Sequence, residues 1–218
     1  GDGLPIVLLG TRLQVLNIAM GVDFTCVIFT SRKMKCWGPH TFGVLGIGHN
    51  TGNWMFVGDE DGEMGDSLPF VDLGRNVSIV APGVWHACAL LDDGSVCCWG
   101  DNTYGNLGLG KVTPYGANND MGTSLPFVLL GSGGISVESV VAGDGFSCVR
   151  FANGLVKCFG SNIYGCLGGN QDSNSCFGDQ AGQMGDNLPD LDFGGFPSFS
   201  PSRAPSRSSS RSPSHSPS

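Results

Sequence analysis

The sequence predicts an all-β protein made of repeated units of four short antiparallel strands, the design of a β-propeller blade. Three observations carry this. Pairs of cysteines ten residues apart recur about every sixty residues, as Cys26 and Cys36, Cys88 and Cys98, and Cys148 and Cys158. The segment Gly-Asp-x-Leu-Pro stands at Gly1–Pro5, Gly65–Pro69 and Gly185–Pro189, with Gly122–Pro126 as a variant carrying Thr123 in place of Asp. Glycine makes up 36 of 218 residues and punctuates every apolar run. Glycine inside helices is unfavourable, and no stretch sustains a 3.6-residue period. A fixed period of four-strand units indicates a propeller or a related β array.

Each unit reads in the same order. A strand-like run follows Leu-Pro: Ile6–Leu9, Phe70–Leu73, Phe127–Leu130 and Asp190–Phe193. A second run follows at Val15–Met20, Val77–Ala81 and Ser136–Ala142. The cysteine segment supplies the third and fourth strands. The units therefore span about 1–64, 65–121 and 122–184, with a partial fourth at 185–194 and a separate tail at 195–218.

The cysteine segment reads as a hairpin. In the second unit Cys88–Leu91 leads into Asp92-Asp93-Gly94, and Ser95–Cys98 leads out. A three-residue loop with glycine in the left-handed position pairs Leu90 with Val96, Ala89 with Cys97 and Cys88 with Cys98. The third unit repeats this through Ala152-Asn153-Gly154. The cysteines fall on non-hydrogen-bonded positions, where α-carbons approach to about 4.5 Å, within disulfide range. Disulfides Cys26–Cys36, Cys88–Cys98 and Cys148–Cys158 are therefore expected, each worth roughly 2–3 kcal/mol. Cys166 and Cys176, again ten apart, are expected to form a fourth across a loop, leaving Cys97 as the odd thiol. Buried free thiols are the alternative. No Cys-x-x-Cys or nearby histidine spacing points to zinc. The first hairpin turns at Thr30-Ser31-Arg32 without glycine, so Cys26–Cys36 is expected to be the weakest staple.

Gly83-x-x-His86-x-Cys88-Ala89-Leu90, then Asp93-Gly94-x-Val96-x-x-Trp99-Gly100-x-Asn102-x-x-Gly105-x-Leu107-Gly108, resembles the repeat of the regulator of chromosome condensation family. The third unit keeps Gly143, Asn153-Gly154-x-Val156, Gly160-x-Asn162, Gly165 and Leu167-Gly168. The first keeps Gly21, Trp37-Gly38, Gly43 and Leu45-Gly46, but has Phe24 in place of the histidine. The resemblance implies a β-propeller, usually of seven blades, and the paired cysteines resemble a subset found in secreted or surface proteins. Three units and part of a fourth are too few to close a ring. The chain also starts at Gly1 inside a unit, without an initiator methionine. A piece of a longer protein is expected; otherwise the open blade edges call for a partner or self-association.

Charge and composition bound the function. The chain carries a net charge of −8, and the tail contributes +3 through Arg203, Arg207 and Arg211 with no acid, leaving −11 for the rest. An acidic body argues against nucleic-acid binding by the repeats. No stretch approaches twenty apolar residues, so no membrane-spanning helix is expected. The Ser/Pro/Arg tail reads as disordered. It suits an O-glycosylated stalk, or a phosphorylatable Arg-Ser segment if the protein is nuclear. Disulfides and a nucleus do not fit together, so an extracellular or cell-surface location is expected, with cytoplasm or nucleus the alternative.

No catalytic constellation appears among His40, His49, His86 and His215, and no cofactor or metal is expected. The acidic run Asp59-Glu60-Asp61 lacks EF-hand spacing and reads as a solvated loop. Trp54-Met55-Phe56 lies beside it on Gly48–Met64, the longest insertion between repeat motifs, and is the candidate binding loop. The corresponding stretches, Lys111–Met121 and Gly169–Met184, differ in length. Asn76-Val77-Ser78 is a candidate glycosylation site in a secreted protein. The function expected is a non-enzymatic protein-binding or scaffold module. A guanine-nucleotide exchange factor for a small GTPase, known from one branch of the family, and an inhibitor of a secreted enzyme are the alternatives.

Overall fold

A computed structural model describes residues 3, 5–48, 56–117, 120–131, 133–168, 175–191 and 193. It is all-β: three antiparallel sheets follow one another along the chain, and the described residues contain short 3-10 turns but no α-helix. The first sheet holds β1 (Val15–Met20), β2 (Thr25–Phe29), β3 (Met34–Pro39) and β4 (Phe56–Val57). The second holds β5 (Val77–Pro82), β6 (His86–Leu91) and β7 (Val96–Gly100), with Tyr115 bridged to Gly100 where a fourth strand would lie. The third holds β8 (Val137–Ala142), β9 (Phe146–Phe151), β10 (Val156–Ser161) and β11 (Cys176–Phe177). Each first strand carries its register shift at the same place, between Val15 and Asn17, Val77 and Ile79, and Val137 and Ser139.

The hairpins pair as their spacing predicts: Cys26 opposite Cys36, Cys88 opposite Cys98, Cys148 opposite Cys158. Their α-carbons lie 4.1, 4.0 and 4.1 Å apart and the sulfurs are at disulfide distance. The first hairpin is as regular as the others. Phe29 N–H donates to Lys33 O at 2.9 Å, just as Leu91 donates to Ser95 and Phe151 to Leu155. Arg32 adopts φ 62° where Gly94 and Gly154 have 84° and 86°. The missing glycine therefore leaves the register unchanged and costs about 1–2 kcal/mol of left-handed strain.

The order of strands within a unit differs from the sequence-based expectation. The run after Leu-Pro is not a first strand, and the fourth strand comes after the hairpin. Proline has no N–H to give a ladder, and each run makes a single tie to the sheet before it. Val71 donates to Met34 O at 2.9 Å, Val128 to Val96 O at 2.8 Å and Leu191 to Val156 O at 2.8 Å. The preceding leucines, Leu68, Leu125 and Leu188, are buried anchors. Each Leu-Pro segment thus fastens one unit back onto its predecessor.

The core lies between sheets. One apolar cluster joins the first unit to the second through Phe24, Met34, Leu45, Val71 and Trp99, and another joins the second to the third through Leu90, Leu107, Val128, Phe151 and Phe159. Trp99 is fully buried and its Nε1–H donates to Val44 O of the preceding unit at 2.8 Å. Burying its ring is worth roughly 4 kcal/mol. At the end of each sheet where the first strand turns into the second, backbones meet directly. Val22 N–H donates to Gly83 O and Val84 N–H to Gly143 O, both at 3.3 Å. A Cβ on Gly21 would overlap Gly83 O, and one on Gly83 would stand 2.7 Å from Gly143 O.

Lys35 and Lys157 occupy one repeat position. Lys35 is buried and donates to Leu9 O at 2.9 Å and Gly65 O at 2.8 Å; Lys157 donates to Leu130 O at 3.0 Å and Gly185 O at 3.2 Å. Burial holds the Lys35 ammonium below its usual range, against the opposing charge of Asp66. In the second unit Cys97 stands where the lysine would be, and Thr123 stands where Asp66 and Asp186 do. Cation and counter-charge are lost together, because a buried charge without its partner is strongly destabilising. Cys97→Lys alone is therefore expected to lower stability by about 3 kcal/mol, and adding Thr123→Asp to recover about half of it. Urea midpoints of the two single variants and the double variant read this coupling.

Candidate binding face

Strand direction places two sets of connections at one end of the sheets: the turns between first and second strands, and the loops that follow third strands. The loops are built alike. Asn102 Oδ1 accepts from Leu107 N–H at 3.0 Å, and Asn162 Oδ1 accepts from Leu167 N–H at 3.0 Å. An aromatic residue stands before the loop glycine in every unit: Phe42 before Gly43, Tyr104 before Gly105, Tyr164 before Gly165. All three are exposed, Tyr164 at 94%. Phe42 and Tyr164 hold φ at 57° and 66°, a region bulky side chains rarely occupy and one that clusters at functional sites. The Phe42 ring packs edge-on against exposed Trp85 of the next unit, centroids 6.3 Å apart. Tyr104 leans over Gly145, which takes the place of Trp85 in the third unit.

Asp23 and Asp144 are exposed on the adjoining turns, and Asp101 follows β7 with its Oδ1 accepting from Thr103 Oγ1 at 2.6 Å. The cations lie elsewhere. Arg12, Arg32, Lys33 and Arg75 flank the opposite, hairpin end, where Arg75 pairs with Asp93 at 2.7 Å. Arg150 pairs with Glu138 at 2.6 Å, and Lys35 and Lys157 are buried. Lys111 is the one described cation on the loop end, and its Nζ donates to Tyr115 Oη at 2.9 Å. The loop end is thus aromatic and acidic.

Beneath this face His86 is buried. Ser147 Oγ–H donates to Asn106 O at 2.9 Å, so His86 Nε2–H donates to Ser147 Oγ at 2.9 Å. Burial pushes the His86 imidazole down to about 4, so it is neutral in the fold.

Of the sequence-based site residues, Trp54 and Met55 lie outside the described residues, as do His49 and the tail. Phe56 is exposed at the start of β4, and Asp59, Glu60 and Asp61 are exposed on the turn beyond. That turn is ordered by Glu63, whose Oε2 accepts from Gly58 N–H at 2.7 Å and Glu60 N–H at 3.3 Å; these bonds hold the Glu63 carboxyl below its usual range. Gln183 does the same for Gly178 and Gln180 in the third unit. The acidic run is therefore a repeat turn, and with Pro5, Trp37 and Met64 it lines a cleft of about 600 Å³ beside β3 and β4. No three metal-ligating side chains come together among the described residues. No helix there is long and apolar enough to cross a membrane. Asn76 is exposed, and its Nδ2 donates to Asp92 Oδ2 at 2.9 Å.

The bridge expected between Cys166 and Cys176 does not form; both are free thiols, as is buried Cys97. Cys166 closes the one-turn helix Ile163–Gly165, its Sγ bonding Ile163 O at 2.9 Å, whereas Cys176 is committed to β11 opposite Ser161. Burial, with the charge of Asp93, pushes the Cys97 thiol up to about 12. It is therefore no nucleophile. Sequence reasoning missed the aromatic row, although its signal was present in the residue before each loop glycine.

Residues 77–106 and 137–166 match a family model described as the regulator of chromosome condensation (RCC1) repeat, and a second model of that description matches 93–150. The chain is 32% identical over 162 residues to the human probable E3 ubiquitin-protein ligase HERC4, covering 74% of this chain and 14% of that protein. It is 28% identical over 156 residues to the ultraviolet-B receptor UVR8 of Arabidopsis thaliana, covering 72% and 31%. The chain thus spans less than a third of either relative. Among solved structures it is similar to human WBSCR16, with a TM-score of 0.57 at 21% identity over 84% of this chain and 40% of that one. It is also similar to yeast RCC1 (Prp20) bound to Kap60, with a TM-score of 0.54 at 19% identity over 78% and 36%. These structures share the fold.

The His86 site carries a pH prediction. The folded group titrates near 4 and the unfolded one near 6.5. The unfolded chain therefore binds the extra proton between these values, and stability falls as pH drops through them. The loss is about 3 kcal/mol at full titration. His86→Phe, which copies Phe24, is expected to flatten this part of the profile. Urea midpoints of both proteins between pH 7 and 4 measure the difference.

Proposed function

We propose that this chain, a repeat protein of the regulator of chromosome condensation family, is a non-enzymatic module that binds a protein partner through its loop end, outside the cell or on its surface. The observation that carries the reading is the row of exposed aromatics at one repeat position, two of them held in left-handed backbone. Aromatic anchors with a polar surround are the residues that dominate protein interfaces. Yeast RCC1, which shares the fold, was solved with a protein bound. The stretches that follow the third strands differ in length between units, as binding loops on a rigid scaffold do. No specific observation favours nucleotide exchange or enzyme inhibition.

A photo-crosslinking residue at position 164 tests the face. In the native source it is expected to capture a discrete protein, with capture suppressed by Trp85→Ser. The same probe at position 33, on the hairpin end, is expected to capture none. Equal capture from both positions would refute the loop end as the binding face.

The three cross-strand disulfides support the location, since such bonds persist in oxidising compartments. Alkylation of denatured native protein before reduction, followed by mass measurement, is expected to show three reactive thiols, at Cys97, Cys166 and Cys176. Nine thiols would remove the support for an extracellular setting.

A further inference from the structure

We infer that the loop end binds the Ser/Pro/Arg segment 197–218 of the same chain, so that the tail covers the face until a partner displaces it. This rests on the reading of that face as a binding surface and names a first occupant for it. Three independent features meet here. The first is charge. The loop end presents Asp23, Asp101 and Asp144 against one described cation, Lys111, whose Nζ donates to Tyr115 Oη. The tail carries Arg203, Arg207 and Arg211 and no acid, and is the most basic segment of an otherwise acidic chain.

The second is side-chain chemistry. Guanidinium groups stack on aromatic faces within about 6 Å of the ring centre, and tyrosine and tryptophan serve best. Prolines in an extended chain dock on aromatic-lined surfaces. The tail alternates the two, with Pro201, Arg203, Pro205 and Arg207 in succession. Tyr164 offers an open ring, and Trp85 a partly exposed one beside Phe42.

The third is reach. Leu191 is fastened to Val156 at the hairpin end of the third sheet. The loop end lies one strand away, the six residues Val156–Ser161, or about 20 Å at 3.3 Å per residue. Twelve residues separate Leu191 from Arg203, and twelve extended residues span at most about 40 Å. The tether also sets an effective concentration in the millimolar range, so a contact of modest intrinsic affinity remains occupied. The interaction is mainly electrostatic and weakens as salt rises.

The test uses the full chain. In the triple variant Arg203→Ser, Arg207→Ser, Arg211→Ser, the Trp85 indole N–H resonance, assigned by its loss in Trp85→Phe, is expected to move from its wild-type position. A synthetic peptide of residues 197–218, titrated into that triple variant, is expected to restore it with saturation. Its Kd is expected to rise roughly tenfold between 0.05 and 0.5 M salt and at least as much on Tyr164→Ser. An unmoved resonance in the triple variant, or a peptide that does not bind, would overturn the tail as occupant. If position 164 still captures a foreign protein after that result, the binding face survives and only the tail is rejected. Stronger capture from the triple variant than from wild type supports occupancy by the tail.

Discussion

Everything in this molecule hangs on two backbones approaching without side chains between them. Gly21 meets Gly83, and Gly83 meets Gly143, each donor being the amide of the following residue. A methyl group at either glycine would hold the sheets apart at this end. The aromatic plugs need that closeness: Trp99 reaches Val44 O, and the Phe159 ring closes on Gly108, only because the sheets are already seated. A second set of glycines repeats the constraint at the loops, where Gly43 abuts Ala117 and Gly105 abuts Asp179. The loop end is consequently a fixed surface, and its aromatics sit where the inter-sheet contact puts them.

The contacts between units change in pairs. Where the second unit has His86, the third supplies Ser147 to receive its N–H. Where the first unit has Phe24, the second supplies Ala87, and both lie in one apolar cluster. The lysine position behaves likewise, with Lys35 and Asp66 giving way to Cys97 and Thr123. A buried polar group without a partner costs 1–3 kcal/mol. That penalty explains why neither member changes alone, and it makes each interface specific for its own neighbour although the backbone scheme is common to all.

Much of this was legible. Hairpin register followed from ten-residue spacing and a glycine turn, and the cysteines fell opposite one another as counted. The same spacing misled at Cys166 and Cys176, because spacing pairs residues only when a hairpin turn lies between them. The runs after Leu-Pro have the composition of strands, yet Phe70–Leu73 gives one residue to a neighbouring sheet; composition reports burial and says nothing of which sheet does the burying. Phe42, Tyr104 and Tyr164 went unmarked in the sequence, which discloses neither their outward aim nor the positive φ of Phe42 and Tyr164. The Gly48–Met64 insertion drew attention by its length, whereas the acidic part of it turned out to be a turn shared, with Gln183 in place of Glu63, by the third unit.

The disulfides take a different place once the contacts are sorted by what they join. Each links the second and third strands of one sheet, strands already paired through the ladder and closed by a hydrogen-bonded turn. By limiting the unfolded chain, a ten-residue loop closure adds roughly 2–3 kcal/mol. That gain belongs to the hairpin alone. No disulfide crosses between sheets, so none contributes to the glycine approach, the Trp99 plug or the His86–Ser147 bond. Assembly of the units and presentation of the loop end therefore rest on non-covalent contacts. The sulfurs harden each unit internally and leave the joints between units to side-chain and backbone contacts.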